Sequence, residues 1–497
     1  MKNCKGLYNC ILFLLLFPIS VVVAQDKESR IDQLCEELED LRLKDTYIVS
    51  ASVITEDENY EDYCLVAGYI LPAINFELRL PIENWNEKFY MQGCGGFCGG
   101  LGIWNDEGGE GLKRGYALAV MDAGHWSENA WDVRWAYNNR QAELDFSYRA
   151  VHETARVSKK IIEKFYGKLP DKSYFQGCST GGRMALMEAT KYPEDFDGII
   201  SEGPVMDNTE LYISYHWAAR KNIGKDGKDI ISPNDIGFIA EAVYDQCDAI
   251  DGKEDGIIDD PRACHFDPQM LKCKSGTSEG CLSDEQIEVL EAWYGGPKNS
   301  NGYQLYPGGI PLGSEPYWRT WIVGNTENVE DDLLGTASLD FFRYMGFQED
   351  PGESYSMFDF DFDMDPARLE YMGKIINSDN PDLDAFNARG GKLIMIHGWS
   401  DAIVTPWKSI QYYTEVEERF GGKERTQSFF RLFMIPGLNH CGFGNTLGIS
   451  SKSIDPLTAL EKWIESDSPP DTLKFTKFDK TGGVVWERNL YPFSEVN

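Results

Sequence analysis

A glycine-rich turn carries the residues with the clearest chemical potential in this sequence. Residues 177–182 read Gly-Cys-Ser-Thr-Gly-Gly and contain the pattern Gly-x-Ser-x-Gly centred on Ser179. This pattern is typical of a nucleophile elbow, a sharp turn between a strand and a helix that exposes a serine hydroxyl. Residues 173–176 read as a short buried strand and residues 183–189 as a helix. The sequence therefore predicts that Ser179 is a nucleophile.

A nucleophilic serine needs a histidine base and a carboxylate that orients the base. On a strand–turn–helix scaffold the order along the chain is serine, acid, histidine, and each residue follows a core strand. Asp401 is the only carboxylate in the turn after a predicted strand at residues 391–397, and His440 follows the strand at residues 430–435. We predict the triad Ser179, Asp401 and His440; the alternative for Asp401 is a residue that caps its loop. The remaining histidines do not fit this order: His125, His152, His216, His265 and His397, the last interpreted as structural.

Two cysteines flank the predicted catalytic residues. Cys178 precedes Ser179, and Cys441 follows His440. A serine and a histidine in hydrogen-bond contact lie about 3 Å apart, which brings the neighbouring Cα atoms near the separation of about 5.5–6 Å that a disulfide prefers. We therefore predict a Cys178–Cys441 disulfide. The alternative, with Cys178 as the nucleophile, is disfavoured because Cys178 is not at the apex of the turn.

A second glycine-rich segment follows the predicted strand at residues 89–92. An oxyanion hole on this scaffold combines the backbone N–H after the nucleophile with one from a loop after an early strand. Thr180 occupies the first position, and the pair Gly95 and Gly96 fits the second, with Gly96 as the predicted donor. The alternative is that this segment is an ordinary turn.

An acidic loop in the middle of the chain is a candidate metal site. Asp248, Asp251 and Asp255 are spaced by three and four residues and are accompanied by two Asp-Gly steps. Ca²⁺ accepts oxygen-rich, irregular cages of this kind, although the spacing is not that of an EF-hand. The alternative is a set of turns with solvated aspartates. Cys247 and Cys264 flank the loop and are placed to close it.

Composition and the N-terminus limit the possible partners and the location of the protein. The chain has 497 residues, 42% of them hydrophobic, and a net charge of −34. Such an acidic surface argues against a nucleic-acid partner, because phosphate binding needs a basic surface. Residues 1–24 read as a secretory signal peptide, whose apolar run at residues 11–23 is too short for a membrane span. We expect a secreted or periplasmic protein.

Export places the cysteines in an oxidising compartment, where they pair. Twelve cysteines less Cys4 and Cys10 of the signal peptide leave ten, an even number that suits a fully paired set. Cys273 and Cys281 are predicted to be disulfide-bonded. The sequence leaves the pairing of four cysteines open: Cys35, Cys64, Cys94 and Cys98.

Alternating strands and helices must hold these residues in place. Strands are predicted at residues 76–81, 89–92, 116–122, 173–176, 198–201, 391–397 and 430–435, and a long helix at residues 146–166. This alternation predicts the α/β class, with a mostly parallel sheet and helices on both faces. We predict a catalytic domain at residues 25–205 and 386–497.

The alternation breaks between residues 206 and 385, which we predict to be an inserted lid domain that carries the acidic loop. The lid is rich in aromatic residues: Trp217, Tyr303, Trp318, Trp321, Phe341, Phe342 and Tyr344. These residues are candidates for a pocket that holds an aromatic ring. The alternative for each of them is a place in the core of the lid.

These motifs together resemble the tannase and feruloyl esterase family of secreted α/β-hydrolases. The resemblance rests on residues 177–183, 192–198 and 306–308, on the acidic loop, and on the arrangement Cys-Ser, Asp, His-Cys. It implies an α/β-hydrolase fold with a large inserted lid domain. It also implies a serine esterase that forms an acyl-enzyme on Ser179. The chain departs from the family pattern at residues 488–492, which lack a cysteine, and at Cys94 and Cys98.

The resemblance further implies a metal and a substrate class. A structural Ca²⁺ would be held by the side chains of Asp248, Asp251 and Asp255 and by the carbonyls of Lys253 and Ile257. The substrate would be an ester of an aromatic acid, small or attached to a polysaccharide, of the feruloyl type. Galloyl esters are the alternative substrate. A catalytically silent protein that binds phenolic polysaccharides is the alternative from another functional class.

Overall fold

The structure is a computed structural model of the 497-residue chain. It describes residues 30–55, 57–102, 105–275, 280–324, 332–444 and 446–494. The predicted signal peptide at residues 1–24 lies outside the described residues. Within them, no helix combines the length and the apolar character needed to cross a membrane.

A nine-stranded sheet forms the centre of the molecule. Its strands are β1 Thr46–Ile54, β2 Tyr63–Ile70, β3 Ile74–Pro81, β4 Lys88–Gln92, β5 Ala117–Met121, β6 Lys172–Cys178, β7 Gly198–Glu202, β8 Lys392–Gly398 and β9 Phe430–Ile435. The order across the sheet is β1-β2-β3-β5-β4-β6-β7-β8-β9. Pairing is antiparallel from β1 to β5 and parallel from β5 through β4 to β9. The predicted α/β class with a mostly parallel sheet is therefore confirmed.

Helices surround this sheet, and a separate hairpin follows it. The α-helices are α1 30–36, α2 Asn105–Lys113, α3 Arg140–Leu144, α4 Ala150–Tyr166, α5 Thr180–Lys191, α6 Asn208–Lys221, α7 Ile236–Cys247, α8 Asp284–Gly295, α9 Trp318–Trp321, α10 Leu333–Tyr344, α11 Asp365–Arg368, α12 Glu370–Ile376, α13 Asp384–Ala388, α14 Trp407–Phe420, α15 Lys423–Gln427 and α16 Pro456–Ser466. The hairpin pairs β10 Leu473–Phe478 with β11 Val484–Leu490.

The parallel strands are apolar because both faces of the sheet are covered. Every residue of β5, β7 and β9 is buried, which is the pattern of strands between two helical layers. Side chains of α4 and α5 join the core on one face, and side chains of α16 join the core on the other. This arrangement leaves the carboxyl ends of the strands to carry the candidate site.

The long helix predicted at residues 146–166 begins differently in the structure. A π-helical turn at Asp145–Arg149 precedes α4. The fully buried guanidinium of Arg183 donates hydrogen bonds to the backbone carbonyls of Phe146, at 2.9 Å, and Ser147, at 2.6 Å. The wider turn presents these carbonyls to Arg183 instead of to the regular helical ladder.

The segment between β7 and β8 carries α6 to α13, and its described residues add no strand to the central sheet. Aromatic side chains fill its interior: Tyr212 stacks on Phe341 with ring centroids 4.2 Å apart, and Trp293 meets Trp318 edge-on at 5.2 Å. The exact boundaries of a lid domain at residues 206 and 385 stay a prediction.

A buried lysine of α14 contacts both ends of this insertion. Lys408, near the start of α14, has its Nζ 3.1 Å from carboxylate oxygens of Asp207 and Glu210 at the beginning of the insertion. The same Nζ is 3.6 Å from Asp379 near the end of the insertion. Burial raises the pKa of Glu210 to about 7.

The described cysteines form five disulfides: Cys35–Cys64, Cys94–Cys98, Cys178–Cys441, Cys247–Cys264 and Cys273–Cys281. The predicted Cys178–Cys441 bridge is confirmed, with a Cα–Cα distance of 5.8 Å. Cys247–Cys264 closes the acidic loop as predicted, and the two cysteines expected to be bonded at 273 and 281 pair with each other. The four cysteines whose pairing the sequence left open form two bridges near the N-terminal strands.

Candidate active site

Ser179 lies at a sharp turn between β6 and α5. Its backbone angles are φ 62° and ψ −120°, a strained region for a residue with a side chain. Neighbouring glycines make the turn possible, because a Cβ on Gly177 would lie 2.6 Å from the carbonyl carbon of Gly181. The side chain of Ser179 remains half-buried. This geometry is that of the predicted nucleophile elbow.

Asp401 and His440 form a buried pair at the carboxyl ends of β8 and β9. His440 Nδ1 is 2.8 Å from Asp401 Oδ2, and the two residues are 3% and 1% exposed. The other carboxylate oxygen, Oδ1, accepts backbone N–H hydrogen bonds from Ile403 at 3.1 Å and Val404 at 2.9 Å. Burial acts to raise the pKa of Asp401, but the contacts with His440 and His397 outweigh it and hold this pKa below its usual range. Asp401 is therefore held as a carboxylate.

Gly203 shows that the elbow and this pair converge. Its φ is 42°, and a Cβ there would lie 3.4 Å from Asp401 Oδ2, 3.5 Å from His440 Nδ1 and 3.7 Å from Cys178 Sγ. The Cys178–Cys441 disulfide crosses the same space and joins the residue before the serine to the residue after the histidine. The structure thus brings the three predicted triad residues to one place.

The two residues predicted to form the oxyanion hole are in contact. Thr180 Oγ1 donates a hydrogen bond of 2.5 Å to the carbonyl oxygen of Gly96. Thr180 is the first residue of α5, where backbone N–H groups have no acceptor within the helix and the helix dipole favours negative charge. The Cys94–Cys98 disulfide spans the Gly96 turn. The Thr180 N–H at such a position suits a developing oxyanion.

Among the aromatic residues predicted to line a lid pocket, one reaches the site and most of the others do not. The ring of Trp321, at the end of α9, meets the ring of His440 edge-on with centroids 5.8 Å apart. Trp318, Phe341 and Phe342 are buried among other aromatic side chains of the insertion, and the buried Tyr344 meets Tyr137, which precedes the insertion. For these four the alternative interpretation, lid core, fits better. The two remaining candidates lie at the surface of the insertion or partly buried in it: Tyr303 and Trp217.

The side chains of four other histidines have partners within the protein: His125, His152, His216 and His397. His125 stacks on Trp135, and burial lowers its pKa to about 4. His216 is buried in the insertion, where burial likewise lowers its pKa to about 4. His397 differs, because its Nε2 is 3.5 Å from Asp401 Oδ2. The sequence predicts a structural histidine at position 397. Its place at the end of β8, before the turn that carries Asp401, is the one feature of the sequence that indicates a contact with the acid.

In the acidic loop, the carboxylates mostly bind groups of the protein itself. Both carboxylate oxygens of Asp248 accept from the backbone N–H of Gly256 at 3.0 Å, and Oδ1 also accepts from that of Ile257 at 3.1 Å. Asp251 Oδ1 accepts from the backbone N–H of Lys253 at 2.8 Å. Within the described part of the chain, no three His, Cys, Asp or Glu side chains gather as a metal-binding group.

Asp255 and Asp259 each have a carboxylate oxygen that is able to bind a cation. The guanidinium of Arg488 lies 3.6 Å from Asp255 and 2.9 Å from Asp259. The Oδ1 atoms of both aspartates are nevertheless buried without a hydrogen-bond partner among the described residues. These carboxylate oxygens, together with backbone carbonyls of the loop, are compatible with a Ca²⁺ site, since Ca²⁺ binds carboxylate and carbonyl oxygens together.

Comparison with known proteins agrees with this geometry. Residues 61–496 match the family model described as tannase and feruloyl esterase. The chain is 31% identical to a mono(2-hydroxyethyl) terephthalate hydrolase of Piscinibacter sakaiensis, over 83% of this chain and 78% of that protein. It is 30% identical to a probable feruloyl esterase of Arthroderma benhamiae, over 84% and 79%. A crystal structure of an esterase from Aspergillus oryzae superposes with a TM-score of 0.82 and 25% identity, covering 93% of this chain and 96% of that one.

The fold and these relatives define a carboxylic ester hydrolase with the α/β-hydrolase fold. Within that class, the chain belongs to the tannase and feruloyl esterase family.

Proposed function

We propose that this protein hydrolyses esters of aromatic carboxylic acids, of the feruloyl type, through an acyl-enzyme on Ser179. The observation that carries the proposal is the Asp401–His440 pair, bound through Cys441–Cys178 to the elbow of the serine. An aromatic acyl group is supported by the edge of Trp321 beside His440. It is also supported by the names of the two relatives, whose substrates are aromatic acid esters.

In the proposed mechanism, Ser179 Oγ attacks the ester carbonyl carbon while His440 accepts the serine proton. Asp401 orients His440 and stabilises its cation. The negative charge on the former carbonyl oxygen is stabilised by the backbone N–H groups of Thr180 and Gly96. His440 then donates its proton to the leaving alcohol, and the ester C–O bond breaks.

The second half of the reaction repeats these roles with water. His440 accepts a proton from water as the water oxygen attacks the acyl-enzyme carbonyl. When the bond to Ser179 Oγ breaks, His440 returns the proton to that oxygen and the aromatic acid is released. No atom is gained or lost by the protein over the full cycle.

An ester panel tests the proposal. The wild-type protein and Ser179→Ala are assayed on methyl ferulate, methyl gallate and p-nitrophenyl acetate, with Ser468→Ala, an exposed serine after α16, as the matched control. We expect Ser179→Ala to lose activity on all three esters and Ser468→Ala to retain it. A preference for gallate over ferulate would favour the tannase alternative. Equal slow hydrolysis by wild type and Ser179→Ala would contradict the proposed mechanism.

We also propose a structural Ca²⁺ in the acidic loop. The proposed ligands remain Asp248, Asp251 and Asp255 side chains with the carbonyls of Lys253 and Ile257. Support comes from the buried, unpartnered Oδ1 of Asp255 and from closure of the loop by the Cys247–Cys264 disulfide. The ion would fix the loop and would take no part in the chemistry at Ser179.

We also propose that the protein is secreted or exported to the periplasm. It is supported by the five disulfides, since such bridges form and persist in oxidising compartments. Detection of the mature protein outside the cytoplasm, beginning near residue 25, would test it.

A further inference from the structure

We infer that His397 is a positioning residue for Asp401: its ring holds the turn that aims the Asp401 carboxylate at His440. The inference rests on the triad proposed above. His397 is next to last in β8, and its side chain is 1% exposed. Its Nε2 lies 2.7 Å from the carbonyl oxygen of Val404 and 3.5 Å from Asp401 Oδ2, and its Nδ1 lies 2.7 Å from Ser409 Oγ.

These partners determine which ring nitrogen of His397 must carry a hydrogen. A carbonyl oxygen and a carboxylate oxygen can only accept, so Nε2 of His397 must carry the hydrogen. In the neutral imidazole Nδ1 is then an acceptor, and the hydroxyl of Ser409 donates to it. The ring is thus fixed on one side by α14, which carries Ser409, and directs its N–H toward the turn on the other side.

That N–H completes a closed set of contacts around Val404. The backbone N–H of Val404 donates to Asp401 Oδ1 at 2.9 Å, and its carbonyl accepts from His397. Both ends of this residue are therefore held, one by the acid and one by the histidine. Asp401 Oδ1 is fully used by the turn, which leaves Oδ2 directed at His440 Nδ1.

The Nε2–H of His397 also affects how strongly the Asp401 carboxylate accepts a hydrogen bond. Its partial positive charge, 3.5 Å from Asp401 Oδ2, weakens the carboxylate as an acceptor for His440. Two further titratable groups face this carboxylate: His440 itself and Tyr215 of α6, whose pKa burial raises well above its usual value, so that it stays neutral. Lys408, beside Ser409, is directed at Asp207 and Glu210 instead.

Removal of the ring should therefore change the pH profile as well as the rate. His397→Leu removes the hydrogen bond from the ring to the Val404 carbonyl. We expect kcat/KM to fall about 10- to 100-fold, as when an orienting partner of a functional group is lost. Without the N–H, Asp401 attracts the cationic form of His440 more strongly. The acid limb of the kcat/KM profile on p-nitrophenyl acetate should then move to higher pH.

Two variants separate this role from simple packing. The amide nitrogen of His397→Gln can donate to the Val404 carbonyl, so most of the activity and the wild-type acid limb should return. His216→Leu is the matched control, because His216 is equally buried and bridges a serine hydroxyl, Ser338, and a backbone carbonyl, that of Met357. It should lower the melting temperature without moving the acid limb.

Ser409→Ala covers the case in which His397→Leu does not fold. Loss of the hydroxyl that donates to Nδ1 weakens the Nε2–H donor, so the acid limb should move in the same direction by less. An unchanged acid limb in His397→Leu, or in Ser409→Ala if the first variant is unfolded, would overturn the inference. Ser179→Ala is measured in the same assay. If Ser179→Ala keeps full activity, the proposed mechanism is wrong. If Ser179→Ala is inactive but the acid limb of His397→Leu is unchanged, only the inference about His397 is wrong.

Discussion

The backbone of Ser179 is strained, and the surrounding residues hold it in that conformation. A residue with a side chain at φ 62° carries a cost of about 1–3 kcal/mol. The close approach of Gly177 and Gly181 prevents the turn from relaxing outward, and the Cys178–Cys441 disulfide fixes the preceding residue. The strain keeps the hydroxyl accessible at the end of β6 and thereby serves the proposed attack on an ester.

Removal of this disulfide should affect activity more than removal of another one. We expect the double variant Cys178→Ser/Cys441→Ser to lose about 2–5 kcal/mol in free energy of unfolding. Its kcat should also fall about 100-fold, because a shift of about 1 Å between Ser179 and His440 has that effect. Urea unfolding and steady-state kinetics below the melting temperature measure the two quantities.

Cys273→Ser/Cys281→Ser is the control for that experiment, because it removes a bridge of the insertion that spans only 8 residues. It should lose stability and keep kcat. If both double variants lose activity equally, the bridge beside the site has no special positioning role.

The triad residues could be predicted from sequence, and their supporting contacts could not. The chain order and the strand ends identify Ser179, Asp401 and His440, and the flanking cysteines add an independent geometric condition. His397 is different, because its contact with Asp401 depends on how residues 399–404 turn back toward β8. The spacing of residues along the sequence does not specify how this loop folds back.

At the scale of elements, the parallel strands were predictable because they are continuous apolar runs. β5, β8 and β9 appear within one or two residues of the predicted bounds. The π-helical turn before α4 was not predictable, because it depends on the buried guanidinium of Arg183 from another element. The hairpin β10–β11 was also missed, since its second strand is largely exposed and its burial does not follow a continuous apolar run.

A buried acid in the insertion should make stability depend on pH. Glu315 is fully buried, and burial raises its pKa to about 7 from a usual value near 4.5. It accepts hydrogen bonds from the Tyr294 hydroxyl at 2.9 Å and the Gly313 backbone N–H at 2.8 Å. Because the folded-state pKa is the higher one, the folded protein binds the extra proton between about pH 4.5 and 7.

Glu315 therefore contributes stability below about pH 4.5 that is lost as the pH rises through about 7. The expected loss is on the order of 3 kcal/mol, at about 1.4 kcal/mol per pKa unit. Glu315→Gln should lack this dependence and be relatively more stable at pH 8 than wild type. Urea unfolding at pH 5, 6, 7 and 8 measures it, with the exposed Glu349→Gln as control. A wild-type slope that persists in Glu315→Gln would assign the dependence to other groups.

At the scale of the whole molecule, the fold class was predictable and the arrangement of the insertion was not. Alternating strands and helices determine a parallel sheet. The helices between β7 and β8, at residues 203–391, instead pack through aromatic contacts between segments far apart in sequence. Single cations such as Lys408 then join chain segments far apart in sequence. These long-range partners follow from the folded arrangement and not from local periodicity.

Chelation tests the proposed Ca²⁺ on the whole molecule. A ligand present at 100 times its Kd stabilises a folded protein by about 2.7 kcal/mol, so EDTA should lower the melting temperature and excess Ca²⁺ should restore it. Asp255→Asn should abolish this response. Asp226→Asn, in an exposed turn of the insertion, should respond as wild type does. A melting temperature that EDTA leaves unchanged counts against the metal.

The Cys178–Cys441 bridge has one more consequence, which concerns proteolysis. It links residues 263 positions apart, so the whole insertion and Asp401 lie inside a covalently closed ring. A protease that cuts one peptide bond anywhere within this ring leaves a nicked molecule whose two pieces remain joined beside the serine. On a gel, such a molecule stays a single species until a reductant opens the bridge. An enzyme exported into a protease-rich environment would thereby tolerate a first cut in its lid without losing half of its active site.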